Sequence, residues 1–200
     1  MFYQSEVEHT LRLPPRLLGL ELEEAIKEEL EGLFVDKVIP ELGLCISVYD
    51  IRSIHGGFIL PRDGASTYTV KFRLIMFRPF VGEVIAARLK ESTKIGLRLS
   101  LGFFDDIYVP AALLPSPSEF KPDPKSQNRG RWFWNDNEDF VYDDENAIRF
   151  QVNTVSYPPI PLNQDKASKP FAPMLITVHT LSLARDPLSP TPVQTPCLTC

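Results

Sequence analysis

Few residues of this chain are of a type that does chemistry: the adjacent carboxylates Asp105-Asp106, the pair Cys197-x-x-Cys200, and the histidines His9, His55 and His179. General acid and base work needs two carboxylates in different environments, so that their pKa values separate, or a metal to hold them together. The stretch LSLGFFDDIYVP, Leu99 to Pro110, supplies neither. Adjacent residues on an extended chain point to opposite faces, and no histidine or further carboxylate stands nearby at ligand spacing. The pair reads as the tip of a β-hairpin, its carboxylates capping backbone. A metal-dependent hydrolase using Asp105, Asp106 and a later acidic loop is the disfavoured alternative. One C-x-x-C is half of a zinc ribbon, and in a Pro/Ser/Thr-rich stretch it marks no metal site. The histidines are scattered, no serine lies in a G-x-S-x-G context, and no Gly-rich phosphate loop occurs. The expectation is a chain that is not an enzyme, with no catalytic residues, no metal and no cofactor.

Binding chemistry is better represented. The net charge of −5 hides opposing local fields. Between residues 71 and 101 stand seven Lys and Arg against two Glu, whereas residues 132 to 145 hold six acidic residues and no Lys or Arg. Within the basic strip, Arg88, Lys90, Lys94 and Arg98 lie on segments of alternating polarity. Such a pattern fits a plain solvated face, or the electrostatic groove that tracks a nucleic-acid strand. Phe103 and Phe104 follow directly: one is expected in the core, and the other could stack a nucleobase. Trp132, Phe133 and Trp134 read as core, with a protein contact as the alternative.

The elements that position these residues divide into two groups. Val7, Leu11 and Leu13 belong to a strand ending at Pro14-Pro15, and Leu18, Leu22, Ile26, Leu30 and Leu33 form the apolar stripe of a helix whose other face is rich in Glu. LGLCISVYDI and YTVKFRLIMF read as strands, and HGGFILPRDGAS between them as turn. This α+β unit closes near Arg78-Pro79. Beyond it the chain reads as short strands only: VGEVIAARLK, KIGLRLSL, DIYVP, RWFWN with DFVYD, and AIRFQVNTVSY. Five short strands punctuated by glycine fit a small barrel, of which the OB fold is the commonest nucleic-acid-facing kind. Three cysteines make no disulfide framework, MFYQSEVEHT lacks the apolar stretch of a signal peptide, and a reducing intracellular compartment is the default expectation.

Four segments in order, GLCISVYDI, DGASTYTVKFRLIMFRPFVGEV, LSLGFFDDIYVP and WFWNDNEDFVYDDENAIRFQV, resemble the family of the larger stalk subunit of DNA-directed RNA polymerase III. That family is shared with the corresponding stalk components of RNA polymerases I and II and of the archaeal RNA polymerase, and the version here looks fungal. The resemblance implies an α+β N-terminal tip domain over residues 1–79 that docks on the polymerase core, and an all-β OB-fold barrel over 80–177 that contacts nascent single-stranded RNA. It also implies a smaller helical stalk subunit as heterodimer partner, the nucleus as location, no membrane, and a non-catalytic role in initiating transcription of transfer RNA and 5S ribosomal RNA. The expected sites combine the resemblance with charge and aromatic placement: Arg88, Lys90, Lys94, Arg98 and Phe103 for RNA, and Gly57, Phe58, Pro61, Asp63 and Gly64 for core docking. A free-standing OB-fold RNA-binding protein of translation or RNA decay is the alternative.

From Val178 the chain leaves the family pattern, which runs on into a glycine-rich segment ending in a Trp pair. An intron read through after Thr177 would produce such a change. The expectation for 178–200 is a disordered tail and an unpaired strand edge along Phe171 to Thr177.

Overall fold

In a computed structural model of the chain, residues 1–59, 64–123, 126–134, 142, 147–159 and 171–182 are described. The first unit is an antiparallel sheet of β1 (Phe2–Leu13), β2 (Val38–Ile39), β3 (Gly43–Ile59) and β4 (Ser66–Phe77), in the order β1-β4-β3-β2. A single α-helix, α1 (Leu22–Phe34), lies against β1 and β3. It buries Ala25, Ile26 and Leu30 on Leu11, Leu13, Val70, Phe72 and Leu74.

Two expectations for this unit need correction. The chain after Pro14 forms a short 3-10 turn, Pro15–Leu17, before α1 begins, so Leu17 rather than Leu18 is buried. Leu18, Leu22 and Leu33 are exposed: the buried stripe of α1 is narrower than its apolar periodicity suggests. Gly56-Gly57 is likewise no turn. β3 runs through both glycines to Ile59, absorbing them at an irregular step in register between Gly56 and Phe58.

The second unit is a closed five-stranded barrel. β5 (Val84–Thr93), β6 (Gly96–Ser100) and β7 (Ile107–Pro110) follow one another as antiparallel neighbours, and β10 (Ala147–Ser156) and β11 (Leu175–Ser182) complete the ring. β11 pairs antiparallel with β10 and parallel with β7, and β10 returns to β5. The interior follows from alternation: Ile85, Ala87 and Leu89 point inward from β5, Leu97 and Leu99 from β6, and Ile148, Phe150 and Val152 from β10. Gly96 lets β6 begin against β7, because a Cβ there would stand 2.1 Å from the Val109 carbonyl oxygen.

The barrel's strand list corrects the sequence reading. RWFWN lies outside the ring, in a separate hairpin of β8 (Ser118–Asp123) and β9 (Ser126–Trp134). Trp132 joins that hairpin to the barrel core and donates from Nε1 to the Thr93 carbonyl at 2.8 Å. The fifth strand is β11, and it does not stop at Thr177. Ile176, Val178 and Thr180 are all buried, so the period-two pattern of LITVHTLS carries five residues past the expected end, and no edge is left unpaired there.

The two units meet around Phe77, with Leu44 of β3 buried in the barrel's cluster beside it. Phe77 ends β4, with Phe2 of β1 and Leu44 of β3 opposite it in register, yet its side chain is fully buried in the barrel's cluster. Its ring touches Phe2 at 5.5 Å, Phe103 at 5.0 Å edge-on and Phe104 at 5.6 Å. The linker after it is pinned by backbone bonds, Arg78 N–H to Met1 and Gly82 N–H to Val152, at 2.9 and 2.8 Å. Phe77→Ala should cost about 3–5 kcal/mol, as other large-to-small core changes do; a urea titration followed by tryptophan fluorescence would show the midpoint falling accordingly.

Candidate nucleic-acid interface

The outward face of the barrel's β5 and β6 is built by the same alternation that fills the core. Ala86, Arg88 and Lys90 are exposed alternately with the buried Ile85, Ala87 and Leu89, and the half-buried Arg98 and Ser100 alternate with the buried Leu97 and Leu99. In register Arg88 is opposite Ser100, while Lys90 falls in the irregular step between Leu89 and Glu91. Arg88, Lys90 and Arg98 therefore share one wall. Lys94 is at the β5–β6 turn, at the end of the barrel away from the sheet, next to the strongly exposed Ile95.

The wall is less positive than its sequence. Lys90 Nζ donates to the Asp105 carboxylate, and Arg98 reaches Asp106 Oδ1 at 2.8 Å and the Asp105 carbonyl at 3.0 Å. Ser100 Oγ donates to Asp105 Oδ1 at 2.5 Å and accepts from the Gly102 N–H at 3.0 Å, and the Arg98 guanidinium lies 5.6 Å from the centre of the Tyr108 ring. The two aspartates are thus neither a catalytic pair nor a simple hairpin cap. Both serve one network that fastens the β6–β7 loop to the strands beside it. Among the described residues no group of three or more His, Cys, Asp or Glu is placed to hold a metal. Arg88 and Lys94 have no ion-pair partner among the described residues.

Phe104 is buried on Phe77, as one of the two rings was expected to be. Phe103 keeps 48% of its surface exposed while resting on Phe77 and Phe2, the latter at 5.9 Å. Its ring therefore helps close the joint between the units and presents its remaining surface beside the basic wall. The sequence reading passed over Arg149. On β10 it stands opposite Ala86, exposed between the buried Ile148 and Phe150, and the alternation of AIRFQV was the signal for it.

At the far end of the sheet, β3 and β4 lead into a connection whose described residues on the β3 side are exposed and apolar. Gly57, Phe58 and Ile59 are exposed, Phe58 at 75%, and Gly64 returns beside the Pro15 ring. Pro61 and Asp63 lie outside the described residues, as do Cys197 and Cys200. β4 alone separates this connection from the Phe77 joint by roughly 35–40 Å.

Lys90 and its partners hold the Asp105 carboxyl below its ordinary value of 3.8, chiefly through the hydrogen bonds from Lys90 and Ser100. A lowered folded-state pKa means the carboxylate stabilises the fold at neutral pH, and that the contribution fades as pH falls through the folded value. Asp105→Asn should lower stability by about 0.2–1 kcal/mol at pH 7, the range for exposed pairs. The difference from the parent chain should vanish well below pH 3.8 in urea titrations across pH.

Comparison with known proteins covers both units. Residues 83–173 match the family described as RNA polymerase III subunit Rpc25, and residues 8–64 match the SHS2 domain found in the N terminus of Rpb7p/Rpc25p/MJ0397. The chain is 34% identical to DNA-directed RNA polymerase III subunit rpc8 of Schizosaccharomyces pombe over 173 residues, covering 83% of each chain. It is 35% identical to RPC8 of Saccharomyces cerevisiae, across 76% of this chain and 71% of the yeast protein. Against RPC8 of Bos taurus the identity is 34%, over 78% and 77% of the two chains. Identity at this level, spread over both units in a fungus and a mammal alike, places the chain in the Rpc25 (RPC8) family of RNA polymerase III subunits.

Proposed function

We infer that this chain is a non-catalytic stalk subunit of DNA-directed RNA polymerase III, acting in the nucleus at the initiation of small-RNA transcription. The observation that carries the reading is the similarity to polymerase III subunits across both units. The sheet-and-helix unit, residues 1–79, serves as the tip domain, and the barrel has the strand order of an OB fold. Phosphodiester chemistry belongs to other subunits of the enzyme.

Each unit has a role suited to its surface. The β3–β4 connection, with the exposed Gly57, Phe58 and Gly64 and with Pro61 and Asp63 from the sequence, docks on the polymerase core. A half-exposed or exposed aromatic at such a connection costs solubility unless a partner covers it, and an aromatic anchor is what such interfaces use. A smaller helical subunit packs along the two units as heterodimer partner. The barrel wall meets nascent single-stranded RNA through Arg88 and Lys94, which are unpaired among the described residues, and through Phe103, while Lys90 and Arg98 keep the wall in shape.

Affinity purification of the tagged full chain from its own cells should recover the other polymerase III subunits, identified by mass spectrometry. Phe58→Asp should reduce that recovery at least several-fold and leave the melting temperature of the isolated chain unchanged, since the ring is exposed. Recovery of the chain by itself, or with translation or decay factors instead, would overturn the assignment.

A further inference from the structure

The barrel wall carries a feature that the basic strip in the sequence does not describe. Between β5, β10 and the loop after β6 lies an open depression of about 520 Å³, lined by Ala86, Arg88, Ser100, Gly102 and Ala147 among others. Its pattern follows from the register. One row across the strands reads Ala147, Arg88, Ser100, and the next has Arg149 opposite Ala86, with Gly102 beyond the end of β6. Large and small residues alternate, so Ala147, Ala86 and Gly102 make a floor and Arg88 and Arg149 stand as diagonal neighbours about 7–8 Å apart. Gly102 adopts φ +90°, and no atom stands within 4 Å of where a Cβ would be, so the trough is open at that end. Phe103, half exposed, follows Gly102 in the chain. Neither arginine has an ion-pair partner among the described residues.

We propose that this trough holds the backbone of single-stranded RNA, with Arg88 of its lining on one phosphate, Arg149 from the adjacent row beside it on the next, and Ser100 Oγ accepting a hydrogen bond from a ribose 2′-hydroxyl. The proposal rests on the RNA-contacting role of the barrel given above and names the residues that perform it. Guanidinium forks match phosphate oxygens in pairs, and a floor of Cβ atoms and one glycine leaves room for a sugar to lie flat. Ser100 supplies the choice of sugar. Its only hydrogen is committed to Asp105 and one lone pair to the Gly102 N–H, so what remains is an acceptor. Phosphate and carboxylate oxygens have no proton to offer it, whereas the 2′-hydroxyl does. An acidic peptide would also be drawn to two arginines. It would find no strand edge on which to pair, because every strand of the ring is bonded on both sides.

The experiment is fluorescence anisotropy of the full chain with labelled oligouridylate and with its deoxy counterpart, each over a range of salt. Arg88→Gln combined with Arg149→Gln should weaken RNA binding at least tenfold and lower the log–log salt slope by about 1.4, two phosphates at about 0.7 each. Arg52→Gln combined with Lys71→Gln removes the same charge from the tip sheet and should change affinity less than threefold. Ser100→Ala should reduce the preference for RNA over DNA and leave the salt slope unaltered. Melting temperatures check that each variant folds. Equal losses in the two charge pairs would mean diffuse attraction, overturning the trough while leaving an RNA-binding barrel intact. Full competition by oligoglutamate of matched charge would make it a peptide site and also overturn it. Absence of RNA binding by the parent chain would remove both the trough and the RNA role of the barrel.

Discussion

The Phe77 ring belongs to two structures at once. Its backbone closes the sheet, with Phe2 and Leu44 opposite it, while its side chain fills the mouth of the barrel against Phe103 and Phe104. Each aromatic contact adds about 0.5–1.5 kcal/mol beyond the area it buries. The larger consequence is geometric. A residue with a fixed backbone on one side and a packed ring on the other leaves little freedom for the units to swing, and the linker bonds at Arg78 and Gly82 remove more. The proposed roles, docking at one end and binding at the other, would depend on such stiffness, because any hinge between them would disperse the binding surface over many positions.

The same joint explains the odd composition of GFFDDI. Phe103 and Phe104 bind the barrel to the sheet, and the two aspartates that follow turn back to hold Lys90, Ser100 and Arg98. Exposed ion pairs contribute little to stability. Their effect here is to fix the loop that carries the joint's aromatics and to cancel part of the positive charge around it. Among the described residues Arg88, Arg149 and Lys94 keep no ion-pair partner, so the cations free of such pairs on these strands stand at separate points.

What could be read from sequence was local. Alternation in VIAARLK, GLRLS and AIRFQV marks inward and outward residues correctly because each side chain's direction depends on its immediate neighbours. Arg149 was legible by that rule and was passed over only because its segment is less basic. Partners were not legible. Lys90 and Asp105 are fifteen residues apart in sequence and become neighbours only when β6 folds back on β5. Strand membership failed for a related reason: RWFWN is as strand-like as LITVHTLS, and only the closing of the ring decides which of them lies inside it. The helix stripe was misjudged because periodicity states which residues could be buried, while the area of sheet beneath α1 decides how many are.

Closure of the ring also limits what the barrel can bind. An open sheet offers backbone donors and acceptors at its edge, and a partner that adds a strand gains affinity without any particular side chain. Here β11 bonds to both β10 and β7, and the strand continues to Ser182 where an open edge was expected. Recognition must then come from side chains on the outer wall, which are few, alternate with small residues, and are partly engaged with one another. A surface of that kind binds a flexible polyanion by spacing a small number of cations over a smooth floor. The closed ring gives a peptide no strand edge to pair on, which agrees with the long, charged ligand proposed above.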